Sequence, residues 1–174
     1  TSNPIYLVIG NRRDRRSTMN DITIRNLYCE VPAVKADSGY EYEGPIEDNP
    51  RNTSPSGIVG LVDNCIENVV LENIEIVYPG GGDKNIACVE LDDLDRIPEM
   101  PKAYPEFSQH KELPAWGFFG RHVNNISFKN VKLTALKKDY RVAIVLDDVE
   151  NSSFEKMEIL EPNSKREKQI FERK

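Results

Sequence analysis

Apolar residues along this chain alternate with polar ones at period two, and the alternation slips by one residue at recurring places. The stretch Asn125-Ile126-Ser127-Phe128-Lys129-Asn130-Val131-Lys132-Leu133 shows the pattern most clearly. It recurs as Asn68–Ile76 and Asp21–Cys29, and in decayed form as Asn151–Ile159. When the copies are set on Asn26, Asn73, Asn130 and Lys156, apolar columns line up. Two residues before stand Ile24, Leu71, Phe128 and Phe154; one after stand Leu27, Ile74, Val131 and Met157; three after stand Cys29, Ile76, Leu133 and Ile159. Four before stand Ile22, Val69, Ile126 and the weaker Ser152. Period two belongs to a strand, but a straight strand cannot keep its apolar side chains on one face through a one-residue slip. A corner can. Asn accepts the left-handed conformation that a tight corner needs, and its amide can bond to an Asn stacked on it. The pattern therefore predicts two short strands per copy joined at an Asn corner, with a ladder of buried amide hydrogen bonds.

Each copy follows another apolar run: Ile5–Gly10, Gly57–Val62, Trp116–Gly120 and Val142–Leu146. These supply a third strand, so the reading is an all-β parallel β-helix of about four rungs, near residues 4–32, 56–79, 115–136 and 141–160. The aligned corners are 47, 57 and 26 residues apart, and the last gap is about one bare rung. The helix then covers residues 1–160, with insertions at 33–55 and 80–114 and a charged tail at 161–174 that covers the last rung or stays disordered. The first rung starts within four residues of Thr1 without a capping element. The chain is accordingly expected to be a segment of a longer helix, with the upstream rungs of the same protein as its neighbours.

Composition narrows the function classes. A net charge of −6 with 30% charged residues argues against a nucleic-acid footprint, and no apolar run approaches the roughly 18 residues of a membrane helix. The three cysteines share no metal spacing, and Cys29 falls in an apolar column. No metal or cofactor is expected. Pro79-Gly80-Gly81-Gly82 lacks the Lys-Ser/Thr and the helix of a phosphate loop.

The candidate chemistry lies at strand ends and in the insertions. Asn11-Arg12-Arg13-Asp14-Arg15-Arg16 is either a solvated turn or a guanidinium site for an anionic ligand such as a sugar carboxylate. The second insertion carries Asp92-Asp93-Leu94-Asp95 and Tyr104-Pro105-Glu106-Phe107, and leads into Leu113-Pro114-Ala115-Trp116-Gly117. Aromatics beside carboxylates suit a sugar site, and they suit equally a satellite hydrophobic cluster that fastens the loop. Arg121-His122 ends the strand run of the third rung, where His122 is a proton shuttle or a hydrogen-bonded corner residue. Asp147 and Asp148 are adjacent on a strand and so point to opposite faces. Two isolated histidines assemble no hydrolytic triad.

Pro4-Ile5-Tyr6-Leu7, the Asn-corner repeats, Tyr78-Pro79-Gly80-Gly81-Gly82, Tyr104-Pro105-Glu106-Phe107 with Leu113-Pro114-Ala115-Trp116-Gly117, Arg121-His122-Val123 and Leu146-Asp147-Asp148-Val149-Glu150 together resemble the C-terminal part of bacterial glycoside hydrolase family 28 proteins. These are polygalacturonase and rhamnogalacturonan hydrolase relatives of the gut Bacteroidetes type. The resemblance implies a right-handed, pectin-lyase-like solenoid and inverting hydrolysis of pectic glycosidic bonds. Inversion uses two carboxylates about 6.5–9.5 Å apart. The family's Asn-X-Asp, Asp-Asp, Gly-His-Gly and Arg-X-Lys motifs lie upstream of the part that this chain matches, so no residue here takes a catalytic role. By the same resemblance the chain contributes a substrate wall for a galacturonan- or rhamnogalacturonan-like polysaccharide. Asn11 and Arg12 are its first candidates, followed by Tyr104, Glu106, Trp116, Arg121 and His122. The expected location is secreted, periplasmic or cell-surface. The competing reading is a non-catalytic carbohydrate-binding or cell-surface β-helix.

Overall fold

A computed structural model describes residues 3–12, 16–34, 54–83, 89–102, 110 and 113–174. The first insertion, apart from its two ends, lies outside the described residues. Among the described residues the chain is all-β, with strands β1 (Tyr6–Val8), β2 (Asn20–Glu30), β3 (Ser56–Val59), β4 (Ile66–Gly80), β5 (Ala115–Lys137), β6 (Val142–Leu160) and β7 (Ile170–Arg173). A 3₁₀ turn, Leu94–Arg96, lies in the second insertion.

Every registered strand pair is parallel. β2 pairs β4, β4 and β3 pair β5, β5 pairs β6, β1 pairs β3 and β6 pairs β7. Successive passes of the chain therefore lie one on the next as tiers, β1 with β2, β3 with β4, then β5, then β6. The register sets Leu27 on Ile74, Val131 and Met157, and Cys29 on Ile76, Leu133 and Ile159, as the alignment of the copies requires.

The slip in the pattern is a backbone event. Asn26, Asn73, Asn130 and Lys156 all have φ between 53° and 57°, so each tier turns at the aligned position while its ladder continues. Asn130 Nδ2 donates to Asn73 Oδ1 at 2.9 Å, and Asn73 Nδ2 to Asn26 Oδ1 at 3.0 Å. The expected burial of this ladder is corrected, because all three side chains are exposed. The bend turns the Asn outward so that the residue after it can return to the core. A second left-handed column, absent from the sequence reading, stands five residues earlier at Asp21, Asn68, Asn125 and Asn151. It too is joined by amide bonds of 2.9–3.0 Å.

The enclosed core is the inner columns. Val69, Leu71, Ile74 and Ile76 of β4 and Ile126, Phe128, Val131 and Leu133 of β5 are at most 1% exposed, and complete burial of one such side chain contributes about 1.5–3 kcal/mol. Their counterparts in β2 and β6 are only half-buried, since each has a neighbouring tier on one side. Phe128 and Phe154 stack at 5.0 Å between centroids, and Phe118 meets Phe128 edge-on at 5.6 Å. Inside the core, Tyr78 Oη donates to the Gly117 carbonyl at 2.8 Å, which leaves Ser56 Oγ as donor in the 2.7 Å contact between the two hydroxyls. Burial raises the Tyr78 pKa strongly, so the phenol stays protonated and available to donate.

The third-strand run is apolar on both faces. Ile58, Phe118, Ile144 and Leu146 join the inner core, whereas Val59, Phe119 and Val145 form a second cluster with Val89, Leu94, Ile97 and Leu113. The second insertion thus packs on the outside of this sheet. Coverage of both faces is why the run reads as nearly continuous hydrophobics. β4 extends to Gly80, so that insertion begins one residue later than the pattern predicts. At φ 60° a Cβ on Gly80 would lie 2.2 Å from the Lys137 carbonyl. In the tail, Ile170–Arg173 continues the stack, with Ile144 on Ile170 and Asp147 on Arg173.

Candidate functional site

The polar residues singled out in the sequence gather where the third-strand run ends. Ile9 N donates to the Val59 carbonyl at 3.0 Å and Gly60 N to the Arg121 carbonyl at 2.8 Å, which brings the ends of β1 and β3 beside the first bends of β5 and β6, at His122 and Asp148. Arg121 and Asp147 are registered partners on the outer face there. Arg121 Nε lies 2.8 Å from Asp147 Oδ2. This is an ion contact rather than a hydrogen bond, because the approach angle leaves both atoms without a hydrogen-bond partner among the described residues. The guanidinium donates instead to the Ile97 carbonyl at 2.7 Å and the Leu94 carbonyl at 2.8 Å, tying the 3₁₀ turn to the sheet. Asp147 also accepts from Arg173 Nε at 2.6 Å, and Arg173 Nη2 reaches Asp95 at 2.7 Å. The Asp147 hydrogen bond, and secondarily the Asp95 one, raises the Arg173 pKa.

His122 and Asp148 follow these partners at matching left-handed positions, φ 53° and 51°. His122 Nδ1 is 2.5 Å from Asp148 Oδ2 and Nε2 is 2.8 Å from Glu99 Oε1. The ring is buried, whereas Asp148 and Glu99 are 54% and 38% exposed at their side chains. A ring facing two carboxylates bonds both by donation only when both nitrogens carry protons. The imidazole fills the space between Glu99 and Asp148.

Tyr6 Oη and His110 Nδ1 lie 3.1 Å apart nearby, and burial, then the charge of Arg121, lowers the His110 pKa. A cavity of about 10 Å³ between Val59, Ile97, Glu99, His110 and Arg121 holds no more than one water. Among the described residues, no three His, Cys, Asp or Glu side chains converge on one point.

The structure brings Arg121 and His122 together and puts Asn11 and Arg12 at the same edge of the stack. Asn11 Oδ1 accepts from Ser17 N at 3.1 Å, and Asn64 Nδ2 donates to the Ser17 carbonyl at 2.7 Å while standing 3.5 Å from Asn11 Oδ1. Arg12 is exposed. Trp116 lies elsewhere. It is 1% exposed inside the core, edge-on to Tyr78 at 5.8 Å, so neither ring face is open to a sugar. The alternation of β5 puts it on the inner face with Phe118. Tyr104 and Glu106 lie outside the described residues.

Sequence reasoning missed Glu99, Asp148 and Arg173 as members of the cluster. Asp148 was legible as the residue stacked on His122, whereas Glu99 and Arg173 arrive from segments without repeat spacing. Among the described residues no helix is long and apolar enough to cross a membrane. No family model, curated protein or solved structure matches this chain.

Proposed function

We propose that the chain is part of a right-handed parallel β-helix, the C-terminal portion of a secreted or surface polysaccharide hydrolase of the family 28 type, acting on a pectin-like polymer. The observation that carries the reading is the stacking of left-handed Asn corners over apolar columns in successive parallel tiers. Right-handed crossover is the strong preference for parallel connections. Half-buried Ile22, Ile24, Leu27 and Cys29 in β2 are suited to packing against upstream rungs. Asn11, Arg12 and the Glu99–His122–Asp148 corner then border the cleft, and the acid and base carboxylates come from those upstream rungs.

One observation favours the non-catalytic carbohydrate-binding reading instead. The half-exposed carboxylates Glu99 and Asp148 are bridged by an imidazole and do not face an open gap. A reducing-end assay on polygalacturonate separates the two. The chain alone is expected to release no reducing ends, whereas the protein extended by its upstream rungs releases them. Turnover by the chain alone, or an inert extended protein, overturns the hydrolase reading.

A further inference from the structure

A second polar surface lies away from the Arg121–His122 corner, along the outside of the stack at the Asn26 bends. It is a groove of about 370 Å³. One wall is the amide ladder of Asn26, Asn73 and Asn130, and the other is the registered column Tyr28, Glu75, Lys132 and Glu158.

Two features of the groove are not accounted for by stability. Tyr28 is 61% exposed, the one aromatic among the large apolar side chains left exposed in the described residues. Its hydroxyl donates to Glu30, which holds the ring rather than letting it sweep through solvent. Lys156 has φ 53° where the three tiers before it use Asn, a conformation that costs an ordinary L-residue about 1–2 kcal/mol. Its ammonium makes no hydrogen bond or ion pair among the described residues. An unpaired cation at a strained corner is the kind of outlier from which a functional role is argued.

The charges of the groove cancel, Glu75 and Glu158 against Lys132 and Lys156, with Lys132 Nζ 3.0 Å from Glu75. We propose that this groove binds a linear, uncharged polysaccharide lying along the stacking direction. Each sugar hydroxyl both donates and accepts, and every tier offers both functions within reach. The amides run as a ladder, and ammonium and carboxylate alternate opposite them. Parallel strands repeat at about 4.7–4.9 Å, close to the length of one pyranose residue, so successive sugars meet successive tiers in equivalent settings. The Tyr28 face supplies the apolar platform for a ring of C–H groups. Zero net charge gives a uronate chain no advantage over a neutral one. The proposal shares no residue with the cleft described above and stands or falls separately from it.

The test is a calorimetric titration of the chain with cellohexaose and xylohexaose, with hexagalacturonate as the charged counterpart. Binding of a neutral hexasaccharide is expected. Tyr28→Ala is expected to raise the dissociation constant about ten-fold by loss of the aromatic contact. Lys156→Asn restores the corner residue of the other tiers, keeps the fold, and is expected to weaken binding as well. Lys138→Ala, at an exposed side chain outside both the groove and the Arg121–His122 corner, is expected to leave binding unchanged. The proposal is overturned if neither neutral hexasaccharide binds, if hexagalacturonate binds more tightly, or if both groove variants bind as the parent does.

Discussion

Arg121 and Asp147 face each other at 2.8 Å from adjacent tiers, with side chains 6% and 1% exposed. Two charges so enclosed are held by what surrounds them. Arg121 is bound to the carbonyls of Leu94 and Ile97, and Asp147 to Arg173. Loss of one member of a buried pair leaves an uncompensated charge and costs about 3–5 kcal/mol. Asp147→Asn, which removes the carboxylate that Arg121 and Arg173 share, is therefore expected to lower stability by that amount in urea unfolding, and Arg121→Met by less, because Asp147 keeps Arg173. Arg173→Met removes a group one-third exposed, and about 1 kcal/mol or less is expected from it.

The corner ladder is exposed, so its amide hydrogen bonds compete with water and the bend itself dominates. Asn73→Ala and Asn130→Ala place a Cβ in the left-handed region without a compensating amide, at an expected cost of about 1–2 kcal/mol. Asn73→Gly accepts the same φ and is expected to cost clearly less. Lys156→Asn is expected to stabilise by roughly 0.5–1 kcal/mol, since Asn tolerates the conformation better and its amide then lies over Asn130. Thermal melts of the four variants rank these effects. Equal losses for Ala and Gly would refute the backbone argument.

Asp139 and Arg141 make a second enclosed pair, 0% and 2% exposed at their side chains, at the turn between β5 and β6. Asp139 accepts from Arg141 Nε at 2.9 Å, Arg141 Nη2 at 3.0 Å and Gly82 N at 2.8 Å. Burial pushes this carboxyl up, but the Arg141 guanidinium and the Gly82 N–H outweigh it and hold its pKa below the usual value. A carboxyl depressed in the folded state contributes stability that is present above its unfolded pKa and lost as pH falls through the folded one. Asp139→Asn is expected to destabilise most near neutral pH, by about 3–5 kcal/mol. The gap between variant and parent should narrow on acidification below about pH 4. A gap that stays constant with pH would show that the Asp139 charge is not what holds the turn.

His122 joins Glu99 of the second insertion to Asp148 of β6. His122→Asn keeps a residue that tolerates φ 53° but removes the bridge. Amides of Leu94–Met100 are expected to exchange with solvent at least about ten-fold faster, as the loss of a charged hydrogen bond worth roughly 1.5–3 kcal/mol implies. Unchanged exchange would mean that Arg121 and the Leu94–Ile97 apolar contacts hold the insertion without it.

The stacking was legible because it is periodic. Leu71 on Phe128 and Ile76 on Leu133 follow from the same offset from Asn73 and Asn130, and a one-residue slip repeated in each copy has few geometrical explanations. The Asp21–Asn68–Asn125–Asn151 column was equally periodic, but its slip, from Ile66 to Val69 and from Val123 to Ile126, falls at the edge of the repeated stretch, so it passed as an ordinary polar position. Trp116 illustrates the opposite error. Its neighbours in sequence look like a sugar site, but strand parity sends its ring inward to Tyr78.

By itself the sequence determined the inner columns, the Asn26–Asn73–Asn130 corner and the parallel all-β class, because these depend on local alternation and on repetition of one short pattern. Only the tertiary structure decided that Arg121 clasps the Leu94 and Ile97 carbonyls, that Glu99 reaches His122, and that Ile170–Arg173 adds a strand. Those contacts join segments with no common period. Their partners are chosen by where the insertion and the tail come to rest on the outer face, and nothing in the spacing of the residues records that.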